Sequence, residues 1–326
     1  MKIINKINLA LERKECLFAF ELLPPLKGDD INNLFTTINN LKQFDPAYIN
    51  ITYHREDIKY IERKDGLLER RISTKRPGTV AIAAAIMARY GIEVIPHLIC
   101  GSFSKYETED ALIDLGFLGI QNVLALRGDN LNGEKRFKAS EKGHSYASEL
   151  VEQIMNMNNG IYVDSEVEHT QASDFCIGVA GYPEKHLEAP NLDMDIDNLK
   201  RKIDAGADYI VTQMFFDNRY YFDFVDKCLA KGINAPIIPG LKPLSTKGQI
   251  SMLPQIFHVD IPTELANKVN LCSKNSDVRK VGVEWLTEQS LELKNAGVPV
   301  LHYYTMGKAD NIEAVAKEVF KGNSKN

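Results

Sequence analysis

One acidic side chain stands inside an apolar strand near the start of the chain. The stretch FAFELLPP, residues 18–25, surrounds Glu21 with bulky apolar residues and then ends in two prolines. A buried carboxyl group without a partner loses its hydration, which raises its pKa and makes it a proton donor near neutral pH. We therefore predict that Glu21 is a general acid. The alternative is a structural ion pair, for which Arg127 is the candidate partner.

Polar residues also stand at the ends of the other predicted strands. They are Thr52, His97, Arg127, Asp129, Tyr182 and Gln213. Taken singly, such a residue is most often a hydrogen-bonded structural group, but in a barrel of parallel strands these residues face one common site. In LALRGDN, Gly128 permits close approach of a flat ligand, and its two neighbours offer opposite charges to one ligand edge. The alternative for this segment is a plain turn with an ion pair.

A predicted helix in the second half of the chain carries a polar stripe beside its apolar one. In DIDNLKRK the stripe consists of Asp195, Asn198, Arg201 and Lys202. Such a stripe is usually a solvated face, and the functional alternative is that Arg201 and Lys202 bind a phosphorylated ligand. No G-x-G-x-x-G or Walker motif is present, so a Rossmann or P-loop nucleotide site is disfavoured. His97 has no second ligand at metal-binding spacing, so we predict no metal site.

Eight short β-rich runs recur at wide and fairly regular intervals. They are CLFAFELL, AYINITY, IEVIPHLIC, NVLALRG, FCIGVAGYP, DYIVTQMFF, PIIPG and VPVLHYYT. Most are continuous apolar runs, as expected for parallel strands covered on both faces, and helical patterns lie between them. This alternation predicts a (β/α)₈ TIM barrel in a single domain, residues 1–326, with a short leading helix at residues 1–15. A doubly wound open sheet is the alternative.

Two helical patterns and two long connections lead to specific predictions. In DDINNLFTTINNLKQF, one apolar face contains Ile31, Leu34, Phe35, Ile38 and Leu41. In TEDALIDLGFLG, Thr108 is the candidate N-cap. Residues 54–78, which are heavily charged, follow the second strand, and residues 130–145 follow the fourth. Long βα-loops lie on the face where barrel enzymes carry their active sites.

The composition is that of an ordinary soluble globular protein. The 326 residues carry a formal net charge of -5, which argues against a dedicated nucleic-acid or anionic-membrane binder. The five cysteines are scattered and form no C-x-x-C motif, so a reducing compartment is expected. The N-terminus lacks the apolar core of a signal peptide, and the most apolar run, TVAIAAAIMA, is too short to span a membrane. We expect a cytoplasmic protein.

Taken together, the strand-end motifs resemble the methylenetetrahydrofolate reductase family in its bacterial form, which has the catalytic domain alone. The resemblance is carried, in family order, by FAFELLPP, NITY, PHLIC, VLALRGD, VAGYPEKH, NLKRKIDAGADYIVTQMFFD and IIPGLKP. It implies a (β/α)₈ barrel that binds FAD. It implies that NADH or NADPH reduces the flavin, which then reduces methylenetetrahydrofolate to methyltetrahydrofolate in a ping-pong reaction that feeds methionine synthesis and one-carbon metabolism. It also implies a homo-oligomer.

The resemblance assigns roles to several strand-end residues. Glu21 matches the general acid, which protonates the departing nitrogen when the imidazolidine ring of the folate opens. Asp129 matches the aspartate beside the flavin and the pterin, where a negative charge disfavours an anionic reduced flavin and helps to hold a cationic folate. Gln213 matches the amide that binds the folate or the nicotinamide. Gln249 and Lys308 match further folate contacts.

Most of the remaining matches concern the flavin. Thr52 and Tyr53 match positions near the nicotinamide and the flavin. Flavin contacts are matched by His97, Arg127, Gly128, Tyr146, Ala147, Tyr182 and His186. The helix that holds the phosphates and the adenosine side of FAD is matched by Asp195, Asn198, Arg201 and Lys202. This match favours the functional interpretation of the polar stripe.

Three features depart from the family pattern. The connection after the second strand is longer and more charged than the usual Gly- or Ser-rich loop. Lys308 replaces a usual arginine, which changes a bidentate group into a point charge. Leu253 stands where a stacking phenylalanine is common.

Two other classes of protein remain as alternatives. A barrel glycosidase would use Glu21 and Asp129 as its carboxylate pair, although the single tryptophan, Trp285, lies in a predicted outer helix and offers no sugar platform. A flavin- or folate-binding protein without turnover would keep the polar stripe and would not need Glu21.

Overall fold

Strands and helices alternate along the chain in the computed structural model, which describes residues 1–130, 137–167 and 170–320. The strands are β1 (Leu17–Leu22), β2 (Tyr48–Ile51), β3 (Asp57–Glu62), β4 (Leu68–Ser73), β5 (Val94–Ile99), β6 (Asn122–Leu126), β7 (Cys176–Gly181), β8 (Tyr209–Thr212), β9 (Ile237–Ile238), β10 (Gly240–Leu241) and β11 (Val300–Tyr304). The helices are α1 (Ile3–Arg13), α2 (Asn32–Leu41), α3 (Thr79–Tyr90), α4 (Lys105–Phe117), α5 (Ala147–Asn158), α6 (Leu192–Asp204), α7 (Asn218–Ala230), α8 (Gln249–Phe257), α9 (Thr263–Leu271), α10 (Asn275–Asn295) and α11 (Asp310–Val319). None of the helices in these ranges is long and apolar enough to cross a membrane.

The large sheet closes into a barrel. Its hydrogen-bonded order is β10-β11-β1-β2-β5-β6-β7-β8-β9, and neighbouring strands run parallel. Because β9 and β10 are two halves of one run that is interrupted only at Pro239, the first and last members of this order belong to the same piece of chain. The predicted (β/α)₈ barrel is confirmed, and the doubly wound open sheet is excluded.

Alternation along β1 explains how an acidic residue fits into an apolar strand. Phe18 and Phe20 face outward and join the large core beneath the helices. Ala19 faces inward and joins a smaller core along the barrel axis. Successive side chains of a strand point to opposite faces, so Glu21 shares the inward face with Ala19. The strand thus presents a carboxyl group to the barrel mouth without placing it in the outer core.

The leading helix α1 closes the amino-terminal end of the barrel. Its Ile3 and Ile7 are fully buried in the inner core. The backbone N–H of Ile3 donates a hydrogen bond to Oδ1 of Asn122 in β6, at 2.8 Å. The predicted leading helix is therefore confirmed, and its apolar face covers the floor of the barrel.

Shortening Ile7 to valine should destabilise the fold, because it removes one buried methylene group from the inner core. We expect Ile7→Val to lower the free energy of unfolding by about 0.5–1.5 kcal/mol, measured by urea denaturation followed by circular dichroism. The matched control is Ile31→Val, since Ile31 is 60% exposed. The control should change the same quantity by less than about 0.5 kcal/mol. Equal losses in both variants would contradict the role of α1 as a barrel floor.

One predicted helix face is partly wrong. The apolar pattern predicts Ile31 on the buried face of its helix, but Ile31 lies just before α2 and is exposed. Leu34, Ile38 and Leu41 are buried as predicted. The apolar pattern continues through Ile31, but the helix begins one residue too late to turn that side chain inward.

The predicted N-cap of α4 is also wrong, because the helix begins earlier than the apolar pattern indicates. The Ser104 side chain accepts a hydrogen bond from the Glu107 N–H at 3.2 Å, and Glu107 Oε2 accepts one from the Ser104 N–H at 2.7 Å. This reciprocal pair is a capping box. Thr108 instead lies in the first turn, where its hydroxyl donates to the Ser104 carbonyl at 3.0 Å.

The connection after β2 is not an irregular loop. Within residues 54–78, β3 and β4 pair antiparallel and form a hairpin, and Ile58 is buried while the rest of the hairpin is largely solvent-exposed. Its base is tied to the barrel on both sides. Arg55 Nη1 donates to the Asp129 carbonyl at 2.8 Å, and the Lys27 N–H donates to the Lys75 carbonyl, also at 2.8 Å. A charged hairpin therefore stands at the rim of the barrel.

The second long connection is described only in part. Residues 131–136 lie outside the described residues. The described remainder of 130–145 forms no helix or strand, and its one β-bridge joins Gly143 to Ser104. This segment therefore runs past the start of α4 on the same face of the barrel as the hairpin.

Candidate active site

The carboxyl ends of β1, β2, β5 and β11 bring four polar side chains together. Oε1 of Glu21 accepts a hydrogen bond from the Thr52 hydroxyl at 3.1 Å. Its Oε2 lies 3.4 Å from Nε2 of His97 and 3.9 Å from Nε2 of His302. The Glu21 side chain is 15% exposed, against 3% for His97 and 0% for His302. Glu21 is thus the member of this cluster that a ligand in the barrel mouth can reach.

The predicted rise in the pKa of Glu21 is wrong for the ligand-free protein. Burial does raise the pKa of this carboxyl group, but the interaction with His302, the charges of both histidines and the Thr52 hydroxyl lower it by more. The net pKa of Glu21 lies below its ordinary value, so the group is a carboxylate near neutral pH. The stretch FAFELLPP shows only the apolar surroundings, whereas the opposing partners come from distant strands.

His97 is itself shifted by its surroundings. Burial lowers the pKa of His97 to about 4, although the charge of Glu21 acts in the opposite direction. The ring is therefore neutral at neutral pH and offers Glu21 a hydrogen-bonding nitrogen instead of a full positive charge. The carboxylate is held in place by neighbours on three separate strands.

The RGD segment after β6 forms a separate edge of the site. Arg127 Nη1 contacts Oε2 of Glu188 at 2.5 Å, and its guanidinium lies 4.9 Å from the centre of the Phe137 ring. The alternative ion pair between Glu21 and Arg127 is therefore wrong. Gly128 has a φ of +85°, and a Cβ atom there would lie 3.3 Å from Ile99. A side chain is disfavoured at this position by both the positive φ and the contact with Ile99.

The polar stripe of α6 packs against the end of β7. Oδ2 of Asp195 accepts a hydrogen bond from the His186 N–H at 2.8 Å, and the His186 ring lies edge-on to Tyr182 with 4.8 Å between centres. Lys202 Nζ donates to the Ala180 carbonyl at 2.5 Å. Burial lowers the pKa of Lys202 to about 8, although the charge of Asp195 opposes this. This half of the stripe is built into the protein and is not a solvated face.

The other half of the stripe is open to solvent. Asn198 and Arg201 are exposed, and Arg201 Nη1 donates to Oδ1 of Asn198 at 3.3 Å. The stripe therefore combines an exposed guanidinium with a buried ammonium one residue further along the helix. One exposed cation and one buried cation on the same helix suit a ligand with more than one phosphate.

The three predicted folate contacts, Gln213, Gln249 and Lys308, lie on three different segments that follow β8, β10 and β11. Gln213 follows β8, and its Oε1 accepts a hydrogen bond from the Met214 N–H at 2.9 Å. Oε1 of Gln249 accepts hydrogen bonds from the backbone N–H groups of Ser245 (2.6 Å) and Thr246 (3.1 Å). The amide oxygen of each glutamine therefore holds its own backbone. Lys308 is exposed in the turn after β11.

Three further predicted residues lie at the rim. Tyr53 packs against Phe103 with 5.1 Å between ring centres. Tyr146 is the residue before α5 and is exposed, and Ala147 is the first residue of that helix. Leu253, the departure from the usual phenylalanine, is 1% exposed in an apolar cluster beneath α8. Its side chain packs inside the protein and offers no surface for stacking.

Two residues of the site were missed in the sequence. His302 stands in VPVLHYYT on the inward face of β11, and Lys242 follows β10 in PGLKP with 6% exposure. The signal for each was the one that identified Glu21, namely an ionisable residue at the end of an apolar strand. Neither run has the adjacent pair of prolines that follows Glu21.

A model of the family "Methylenetetrahydrofolate reductase" matches residues 6–319. The chain belongs to the methylenetetrahydrofolate reductase family. The resemblance that the strand-end motifs indicated is thereby confirmed.

Curated relatives in this family come from plants, a yeast and bacteria. The chain is 32% identical over 316 residues to methylenetetrahydrofolate reductase (NADH) 1 of Arabidopsis thaliana, an alignment that covers 94% of this chain and 48% of the plant protein. It is 32% identical over 309 residues to 5,10-methylenetetrahydrofolate reductase of Escherichia coli, covering 94% of this chain and 92% of the bacterial one. The chain thus spans about half the length of its plant relative and nearly all of the bacterial one.

A solved structure shares the fold of this methylenetetrahydrofolate reductase family member. It is an uncharacterized protein from Clostridium thermocellum that binds two copies of 5-methyl-5,6,7,8-tetrahydrofolic acid, with a TM-score of 0.55 and 15% identity. The match covers 96% of this chain and 99% of that protein. At this level of identity the likeness supports the barrel architecture.

Proposed function

We propose that the protein reduces 5,10-methylenetetrahydrofolate to 5-methyltetrahydrofolate with a hydride that NADH or NADPH delivers by way of bound FAD. Family membership supports this proposal, and one observation carries it. Glu21 sits at the carboxyl end of β1, within hydrogen-bonding distance of Thr52 and 3.4 Å from His97, on the face where barrel enzymes carry their sites. A substrate that must accept a proton on nitrogen needs a fixed, reachable carboxyl group in that place.

The residues at the ends of β6 and β7 and on α6 fit a flavin dinucleotide. Three side chains supply cations for a diphosphate, namely Arg127, Arg201 and Lys202. The Lys202 ammonium is held in place by its hydrogen bond to the Ala180 carbonyl. Gly128 leaves backbone surface for a flat ring. When FAD is bound, it supplies the acceptance and donation of hydride, for which side chains have no equivalent.

In the proposed reaction, Glu21 gives a proton to the folate nitrogen that leaves the methylene carbon as the ring opens. Because Glu21 is ionised in the ligand-free protein, it has to take up a proton from solvent as the substrate binds. A flat ligand that covers the carboxylate excludes water, and loss of hydration raises the pKa of a carboxyl group. Thr52 fixes the orientation of the group during this change.

Three other residues would hold the substrate. Asp129 places a negative charge on the same side of the barrel as Tyr182, whose pKa it helps to raise, and such a charge stabilises a cationic folate. Gln213 offers an amide to a flat ligand, which suits both the folate and the nicotinamide. Lys308 offers a single positive charge to a carboxylate of the folate tail.

The direct test is to look for the cofactor and the product. We expect the purified protein to be yellow, to release FAD on denaturation, and to form 5-methyltetrahydrofolate from methylenetetrahydrofolate with NADH or NADPH, detected by mass spectrometry. A colourless protein that cleaves glycosides would instead favour the carboxylate pair Glu21 and Asp129. A yellow protein that binds the folate and never turns it over would be a binding protein.

A further inference from the structure

Lys242 is a buried lysine that the proposed mechanism does not use. It follows β10 directly and is 6% exposed. Its ammonium forms no ion pair within 4.0 Å in the described part of the chain. Burying an unpaired ammonium is unfavourable, so a lysine kept in such a position calls for a physical reason.

The strand register places Lys242 level with Glu21 on the inside of the barrel. In β10, Gly240 pairs with His302 and Leu241 with Tyr303, so the next residue, Lys242, comes level with Tyr304. On its other side β11 pairs Tyr304 with Glu21 of β1. The three residues therefore lie side by side on adjacent strands.

Gly240 shows which way this part of the chain faces. A Cβ atom at Gly240 would lie 2.5 Å from the Tyr304 hydroxyl oxygen and 2.2 Å from the Thr212 carbonyl oxygen, so position 240 faces the packed interior. Lys242 is two residues further on and faces the same way, because side chains alternate along a strand. Its side chain therefore enters the same interior into which Glu21 points from β1.

Of the titratable groups near this end of the barrel, Glu21 is the carboxylate that acts on Lys242. The titratable groups that interact with Glu21 are His54 after β2, His97 of β5, and His302 and Tyr304 of β11. Tyr182 after β7 interacts in turn with Tyr304. Burial raises the pKa of both tyrosines, which stay neutral. Among the described residues, Glu21 is the charged group that acts on Lys242, and it raises the lysine's pKa against the larger effect of burial, which lowers it to about 8.

The attraction between these two groups is mutual. A carboxylate that favours the ammonium is itself favoured by that ammonium. Lys242 therefore adds to the larger effects of His302, His97 and Thr52, which lower the pKa of Glu21. His97 has lost its charge well below neutral pH, whereas Lys242 keeps its charge up to about pH 8. Over the neutral range, Lys242 therefore supplies a positive charge to Glu21 that His97 does not.

We propose that Lys242 is a positioning residue for the acid: its ammonium, two strands away on the same level of the barrel, holds Glu21 as a carboxylate in the ligand-free protein. A catalytic role for this charge on Lys242 rests on the proposed function. An ionised carboxylate has no proton to give, so Glu21 can act as an acid only after a bound folate raises its pKa and it takes up a proton from solvent.

The test is a titration of Glu21 in the ligand-free protein by infrared difference spectroscopy. The carboxyl band that is absent from Glu21→Gln reports Glu21. We expect Lys242→Met to raise the midpoint of this band by about one pH unit, a tenfold gain in proton affinity, because the methionine keeps the stem and removes the charge. Lys242→Arg keeps the charge and should leave the midpoint near the wild-type value.

Two results would overturn the inference. One is an unchanged midpoint in Lys242→Met, and the other is an equal rise in Lys242→Arg, which would trace the change to packing. If Lys242→Met does not fold, Lys242→Gln removes the same charge and decides the question. The titration needs neither cofactor nor turnover, so a shifted midpoint in a protein that forms no methyltetrahydrofolate would refute the proposed function and leave this inference standing.

Discussion

Replacing Glu21 by glutamine should abolish the reduction of methylenetetrahydrofolate and leave the reduction of the flavin by NADH or NADPH nearly intact. The glutamine amide can keep the hydrogen bond from Thr52, but it has no proton to transfer. General-acid catalysis contributes about 10²- to 10⁴-fold, so we expect a loss of that size in the folate half-reaction. Stopped-flow absorbance of the flavin measures the two half-reactions separately.

The half-reaction with the nicotinamide is the internal control, because hydride transfer to the flavin needs no acid on the folate side. A loss of equal size in both half-reactions would show that Glu21 holds the site together and does not act as an acid. Loss of flavin from the variant would have the same meaning. The ratio of the two rates is therefore more informative than either rate alone.

The reaction with methylenetetrahydrofolate should also slow as the pH rises, because it needs the protonated form of Glu21. The pKa of Glu21 is lowered in the ligand-free protein, so the protonated fraction falls as the pH rises through neutrality. The second-order rate constant for methylenetetrahydrofolate with the reduced protein should then fall by about tenfold per pH unit in that range. The residual rate of Glu21→Gln should not follow this slope. A wild-type rate that is independent of pH between about 6 and 8 would contradict the assignment.

The barrel could be predicted from the sequence because its signals are local. Each strand is an apolar run, and in FAFEL the alternation of Phe18, Ala19 and Phe20 between two cores needs no knowledge of the rest of the chain. The run PIIPG could also be recognised, although Pro239 divides it into β9 and β10. Eight such runs still leave an open sheet as the alternative, and the pairing of β11 with both β1 and β10 decides for the closed barrel.

The protonation state of Glu21 could not be predicted because its causes are not local. Burial, which raises the pKa, can be inferred from the neighbouring residues. The partners that lower it include His302 and Thr52, which the barrel brings to the same level from strands far apart in the sequence. The location of the acid was therefore predictable, and the sign of its pKa shift was not.

The hairpin at the rim was a failure of interpretation, since the sequence does contain its signal. Asp65 and Gly66 form a D-G dipeptide between the two strands, and Gly66 adopts a φ of +77°. Ile58, Tyr60, Leu68 and Ile72 share one face of the hairpin, but charged residues stand between them and obscure the alternation. Of these four side chains only Ile58 is buried, so the hairpin adds little to the core.

Replacing Lys202 by methionine should weaken FAD binding by about 10- to 100-fold, since a hydrogen bond to a charged group contributes about 1.5–3 kcal/mol. The methionine keeps the apolar stem of the lysine and removes the ammonium that Ala180 now holds in place. Titration of the flavin-free protein with FAD, followed by flavin fluorescence, gives the dissociation constant. The matched control is Lys200→Met on the same helix, because Lys200 pairs with Asp204 and takes no part in the stripe.

The charge on Lys202 also predicts how FAD affinity depends on pH. Burial lowers the pKa of Lys202 to about 8, and a bound phosphate would raise it again, so binding takes up a proton above that pH. FAD affinity should therefore fall as the pH rises past 8 in the wild type and in Lys200→Met, and Lys202→Met should lose this dependence. Equal weakening by both substitutions would mean that FAD responds to the overall charge of α6, and the buried ammonium would then have no special role.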